Sequence, residues 1–220
     1  DGCGGTLSCG TCATGTCGGG GLPLTCGTCN GGGRLCTEDC WCWDVPKPAG
    51  YDFRAAWGAT PDDVWFAGPG AFARRADAGW SLHRSPWSDA PEAMWGSAAI
   101  DIWAVGGDGL SGTARIARWN GSEWKSIPTD AGGPLYGVHG FSASDVWAVG
   151  GSAALHWDGT IWRATPVGTG LSDVWGASPN DLWAAGTELH HWNGTNWQWM
   201  PIGLGVSEYL LDLDGTGAND

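Results

Sequence analysis

Cys9, Cys12, Cys26 and Cys29 are spaced CxxC–x13–CxxC, close to the pattern in which four thiolates close a tetrahedral zinc site. Cys3, Cys17, Cys36, Cys40 and Cys42 complete a set of nine, all before residue 43. Five extra thiols fit a single four-ligand site poorly. The stretch also has almost no large apolar residues, so burial at roughly 25 cal/mol per Å2 cannot hold it together. Disulfides are therefore the expected cross-links, as in small secreted domains, with zinc at Cys9, Cys12, Cys26 and Cys29 as the alternative. The pairing stays open, and the odd count leaves one thiol unpaired within the chain. Neither CxxC is followed by His, as c-type haem attachment would need, and no βαβ pattern surrounds them to suggest a redox centre.

The other groups able to do chemistry come in register. Asp63, Asp101, Asp145 and Asp181 recur at steps of 38, 44 and 36 residues, with a Gly five positions before each. Glycoside hydrolysis needs two carboxylates within roughly 5–9.5 Å. Residues spaced once per unit are spread apart instead, so these acids are expected to accept backbone N–H bonds at turns. Five histidines occur, His83, His139, His156, His190 and His191; His156 and His191 share one repeat position, immediately before a Trp, that Arg118 fills in another copy. Repeat register points to a strand position. No G-x-S-x-G, P-loop or H-E-x-x-H is present, so no catalytic residue and no organic cofactor is assigned. Asn120-Gly-Ser122 and Asn193-Gly-Thr195 have the form of glycosylation sequons, but Asp158-Gly-Thr160 occupies the same place, so a hairpin turn explains all three.

The elements that carry these residues are short strands. "WGATPDDVWFAG", "WGSAAIDIWAVG", "HGFSASDVWAVG" and "WGASPNDLWAAG" are four copies of one sentence, followed by "WNGSEW", "WDGTIW" and "WNGTNW" in the last three. In the first copy the second signature is reduced to "RADAGW". The apolar period within a copy is two, and β-branched and aromatic residues favour strands. Asn-Gly and Asp-Gly between apolar runs signal hairpins. About four antiparallel strands per unit of roughly 40 residues predict an all-β chain with a β-propeller. Its Trp rings should wedge between blades, each removing about 150–250 Å2 from water. The expected units are 51–88, 89–132, 133–168 and 169–205. Residues 206–220 then start a fifth, with Gly215 and Asp220 in register, and closure needs sequence beyond residue 220.

The Cys/Gly-rich region 1–43 and the propeller region 51–220 meet at a Pro-containing linker, 44–50. A formal net charge of −13 repels phosphate backbones, which argues against nucleic acid and anionic membranes as partners. No apolar run approaches the ~20 residues that span a bilayer. The chain starts at Asp1 without a signal-peptide core, as expected of a processed or partial chain.

The units "S-x-x-D-V-W-A-V-G … L-H-W-D-G-x-x-W" resemble Trp-rich propeller repeats of secreted bacterial surface proteins, of the myxobacterial type, which often carry Cys- and Gly-rich leaders. The resemblance implies an extracellular or cell-surface propeller and brings no single activity with it. The tail "DLDGTGAND" resembles the calcium loop of FG-GAP propeller repeats. That likeness implies Asp212, Asp214, Thr216 and Asp220 as side-chain ligands, with the Ala218 carbonyl. Ca2+ takes about 6–8 hard oxygens and glycines let such a loop curl. Thr216 stands where Asp is commoner, which lowers the ligand charge.

The expected function is a non-enzymatic binding or adhesion module, presenting loops and inter-blade clefts to a glycan or protein at the bacterial cell surface. Trp80, Trp87, Trp124, Trp162, Trp197, His156 and His191 are the candidate ligand-binding residues, with inter-blade packing as their competing role. One alternative is a self-assembling structural subunit of an extracellular filament or coat. The other is a propeller-fold lyase or hydrolase.

Overall fold

The computed structural model describes residues 35–36 and 42–43 as backbone, and 52–76, 79–108, 112–151, 153–168, 170–203 and 208–217 in full. The disulfide and zinc expectations, like Asp220 and Ala218 of the calcium loop, lie outside the described residues, apart from the backbone of Cys36 and Cys42. That backbone forms a small antiparallel pair, β1 (Leu35–Cys36) and β2 (Cys42–Trp43).

The all-β expectation holds. Blade 1 contains β3 (Ala55–Thr60), β4 (Asp63–Gly68), β5 (Ala71–Ala76) and β6 (Gly79–Arg84). Blade 2 contains β7 (Ala93–Ala98), β8 (Asp101–Gly107), β9 (Ala114–Trp119) and β10 (Trp124–Ile127). Blade 3 contains β11 (Gly137–Ser142), β12 (Asp145–Gly150), β13 (Ala153–Trp157) and β14 (Trp162–Pro166). Blade 4 contains β15 (Leu171–Ser178), β16 (Asp181–Gly186), β17 (Leu189–Trp192) and β18 (Trp197–Met200). Each blade is a four-stranded antiparallel meander in sequence order, and the first strands of successive blades lie side by side.

The hairpin signals work locally as chemistry demands. Asn120, Asp158 and Asn193 each turn a side-chain oxygen onto the two backbone N–H groups that follow the glycine. The intervening Gly121, Gly159 and Gly194 have φ of 93°, 93° and 89°, a region that side chains with a Cβ disfavour. At Asp158 the Thr160 hydroxyl and the turn amides hold the carboxyl well below the usual range.

The apolar core lies between blades. Because side chains alternate across a strand, each blade has a leading face toward the preceding blade and a trailing face toward the next. Trp65 on the trailing face of blade 1 clusters with Ile102, Ala104, Ala117, Trp119 and Trp124 of blade 2. Trp103 does the same with Val146, Ala148, Leu155 and Trp157 of blade 3, and Trp147 with Leu182 and Ala184 of blade 4. The ring geometry repeats closely. Trp65, Trp103 and Trp147 lie 4.8, 5.1 and 5.0 Å from the first Trp of the next blade's hairpin, tilted. They lie 5.5, 5.3 and 5.6 Å from the second Trp, edge-on at 80°, 90° and 82°. Edge-on and tilted pairs at these spacings add about 0.5–1.5 kcal/mol each beyond burial.

The Gly five residues before each Asp has a packing reason too. A Cβ on Gly96 would come within 2.8 Å of the Trp57 ring, and one on Gly140 within 2.7 Å of Trp95. Gly215 stands in the same relation to Trp175, at 2.9 Å. Residues 208–217 thus run along blade 4 in the register of a next inner strand. Leu210 N–H donates to Gly186 at 2.8 Å, as Leu135 N–H does to Gly106 at 3.1 Å.

Candidate functional site

The acid that opens the second strand of each blade meets an Arg or a His from the third strand. The Arg74 guanidinium donates side-on to both oxygens of Asp63 at 2.7 and 2.8 Å. Arg118 donates to Asp101 at 2.6 Å, and His156 and His191 meet Asp145 and Asp181 at 2.8 and 2.7 Å. The same group covers the blade's own Trp. The Arg74 and Arg118 guanidinium carbons lie 5.2 and 4.6 Å over Trp65 and Trp103, and the imidazoles of His156 and His191 lie 4.2 and 4.4 Å from Trp147 and Trp183. The repeat position needs a flat group able to donate to a carboxylate, and Arg and His both provide one.

This corrects the expectation that these acids serve the turn amides. In blades 1 and 3 a hydroxyl two residues earlier does that work, Thr60 for Asp62 N–H and Ser142 for Ser144 N–H. The hydroxyl reaches its local amide in a tight turn, which leaves the strand-opening carboxylate free to meet a longer side chain across the ladder.

A cleft of about 890 Å3 opens between blades 1 and 2, within the range of ligand pockets. Ser85, Trp87 and Ser88 of the connection 85–92 form one wall and Ser122 and Glu123 of the blade 2 hairpin loop the other, with His83 and Arg84 between. The connection is held by Ser85 N–H donating to Gly70 at 3.0 Å and by Trp87 N–H donating to the Ser85 hydroxyl at 3.3 Å. His83 sits against Trp65 and Trp119 at 4.8 and 5.0 Å and within 3.0 Å of the Ser81 hydroxyl. Burial, and then the Arg74 charge, push its pKa below the ordinary imidazole value. The ring is therefore neutral at neutral pH. The cleft thus has an aromatic floor, an uncharged imidazole and a mouth carrying Arg84 and Glu123.

Of the sequence-derived candidates, Trp87 and Trp124 meet in this cleft. Both are almost fully buried, and Trp124 is stacked on Phe72 at 3.9 Å and 10°. Trp162 and Trp197 lie edge-on to Trp103 and Trp147 at the other two junctions. Trp80 lies on the opposite side of blade 1, 5.7 Å from Phe66. His156 and His191 are the third-strand partners of Asp145 and Asp181 described above. Reading the sequence alone did not single out His83, Arg84, Ser85 or Glu123; the usable signal was the connection 85–92, eight residues long and carrying its own Trp, against four at 167–170.

At the far end, the Asp173 carboxylate accepts the Leu213 N–H at 2.9 Å, and Asp212 accepts the same amide at 3.1 Å. Burial, assisted by the hydrogen bond that protonated Asp173 donates to the Asp212 carboxylate, pushes Asp173 up to about 7. Asp214 accepts Gly215 N–H at 2.9 Å. Among the described residues no three His, Cys, Asp or Glu side chains gather closely enough to hold a metal, and no helix is long and apolar enough to cross a membrane.

No protein-family model and no curated protein matches the chain. Solved structures do. YCF48 bound to a D1 peptide is similar at 16% identity and TM-score 0.51, over 69% of this chain and 55% of that one. A nidogen/laminin complex matches at 12% and 0.51, over 68% and 64%. An ancestral GH74 enzyme matches at 15% and 0.54, over 70% and 26%. The chain therefore spans less than two thirds of each of these structures. Identities this low show the β-propeller fold alone.

Proposed function

We propose that the chain is a non-enzymatic binding module displayed outside the cell, and that it takes a protein segment in the cleft between blades 1 and 2. The cleft itself carries this reading. A polypeptide suits a mouth of mixed charge and hydroxyls over a partly apolar floor. Sugar stacking would require an open indole face, and Phe72 covers one face of Trp124. The non-enzymatic part is supported by the four strand-opening acids, each engaged by an Arg or a His of its own blade. Of the similar structures, the YCF48 one contains a bound peptide.

The test is selection from a random peptide library on the purified chain, run beside a glycan array. Selected peptides should lose at least about tenfold in affinity with Arg84→Glu and Glu123→Lys, a change of about 1.4 kcal/mol. Peptides that bind both variants as well as the parent, or hits on the glycan array alone, would remove the proposal.

A second reading, a self-assembling subunit of an extracellular filament or coat, draws on Trp199, Ile202, Tyr209 and Leu211, which are all exposed. Light scattering across a concentration series tests it; a constant monomer mass would dismiss it. Calcium held by Asp212, Asp214, Thr216 and Asp220 is a separate proposal, tested by native mass before and after EDTA.

A further inference from the structure

The last strand of each blade ends its sheet, so one side of its main chain has no ladder partner. Three of these edges carry the same block. Four residues after the second hairpin Trp, counted from Trp124, Trp162 and Trp197, blades 2, 3 and 4 place Pro128, Pro166 and Pro201. Proline has no N–H to offer an incoming strand, which is why it guards sheet edges. Blade 1 departs from this pattern. Counted in the same way from Trp80, the position is Arg84. It closes the β5–β6 ladder opposite Ala71, as Pro166 closes the β13–β14 ladder opposite Ala153.

One hydrogen bond fixes which way this main chain points. Ser85 N–H donates to the Gly70 carbonyl at 3.0 Å, toward β5. Main-chain groups alternate sides along a strand. His83 therefore points inward with Ser85, while Leu82 and Arg84 direct their N–H and C=O groups off the open edge.

The second observation comes from the cleft between blades 1 and 2. Leu82, His83, Arg84 and Ser85, four consecutive residues, all line it. Side chains alternate across a strand, and Leu82, opposite Ala73, is on the other face of the sheet from His83, opposite Phe72. One face of β6 could supply only every second residue. A consecutive run lines a cleft when the strand's edge, its main chain, forms part of the wall. The edge that lacks its proline is thus the edge that borders the cleft.

We infer that the segment bound in this cleft adds to β6 as a fifth strand of blade 1, held through the main chain at Leu82 and Arg84. This rests on the cleft being a peptide site and names the class of peptide: an extended segment with no proline at the residues that pair, and not a helix. In such complexes main-chain pairing supplies affinity and alternate side chains supply specificity. Here one set of ligand side chains lies on the side of His83, and the set between them on the side of Leu82.

The test uses peptides selected from the random library on the full chain. Each is resynthesised with a single N-methyl group, moved one amide at a time, and titrated against the unaltered protein. The losses should alternate: methylation of every second amide weakens binding about tenfold, and methylation between them has little effect, because only the amides facing β6 enter the ladder. Arg84→Pro should bind the same peptides at least about fivefold more weakly than Arg84→Ala, since both remove the charge but only proline removes the N–H. Pro128, Pro166 and Pro201 show that the blade accommodates proline at this position. Losses without alternation, or equal binding by Arg84→Pro and Arg84→Ala, overturn the inference; the peptide site itself still stands if Arg84→Glu and Glu123→Lys weaken binding. If those two charge reversals have no effect, the peptide site falls and the added strand falls with it.

Discussion

The junctions between the four described blades and the leading face of blade 1 and trailing face of blade 4 are made from the same repeat, yet only the junctions keep its full set of rings. At the junction of blades 2 and 3, Trp103 is fully buried among Trp157, Trp162 and the Arg118 guanidinium. On the trailing face of blade 4, Trp183 has its own stacked imidazole, His191, at 4.4 Å, but is only partly buried. On the leading face of blade 1 the consensus itself has changed: Phe66 takes the ladder position of Ala104, Ala148 and Ala184. An indole in this repeat therefore stabilises through what the next blade brings. Its own blade gives it only the stacked guanidinium or imidazole; for the Arg contacts that is worth about 0.5–2 kcal/mol depending on burial.

That difference has measurable consequences. The largest should come from Trp103→Ala, which empties a fully buried site and should cost about 3–5 kcal/mol in chemical denaturation. Trp183→Ala should cost about 1–2 kcal/mol, because less of that ring leaves water. Equal losses at the two sites would erase the contrast between junction and outer face.

A smaller effect follows from the ring-on-glycine contacts. Gly140→Ala drives a methyl to within 2.7 Å of Trp95 and 2.9 Å of the Asp145 carbonyl, and overpacking of this kind costs about 1–3 kcal/mol. Gly132 has no heavy atom within 4 Å of its would-be Cβ, so Gly132→Ala should leave the melting temperature essentially unchanged. Stability assays on this pair sharpen the comparison by separating close approach from backbone freedom.

A further effect belongs to the trailing end and depends on pH. Asp173 is raised to about 7 in the folded chain, first by burial and then by Asp212. The folded state thus holds the proton more tightly than the unfolded one. The contribution is fully present below about pH 4 and is lost as pH rises toward about 7. Amide exchange at Leu213, corrected for intrinsic rates, should therefore become less protected between those limits. The Asp173→Asn variant should abolish that change, and persistence of the change in the variant would assign it elsewhere.

Much of this architecture was legible in the sequence, because the recurring Asp, the Gly five residues before it and the paired hairpin tryptophans fix both the strand register and the period. The partners of Asp63, Asp101, Asp145 and Asp181 were not. Arg and His alternate at that position and loop lengths differ, so the pairing separation runs from 10 to 17 residues, and only the folded ladder aligns them. Phe66 in place of alanine reads as a conservative change until the strand's two faces are distinguished. The cleft was hidden for a similar reason: it belongs to neither unit, and arises where the connection 85–92 bridges two of them.

The claim on which the rest depends is that interlocked indoles hold neighbouring blades together, and a double-mutant cycle between Trp103 and Trp162 measures that directly. These rings lie 5.3 Å apart and edge-on, so a coupling of about 0.5–1.5 kcal/mol is expected. The pair Trp103 and Trp197, from different junctions, should add with no coupling beyond about 0.3–0.5 kcal/mol. Additive losses for Trp103 and Trp162 as well would contradict the account.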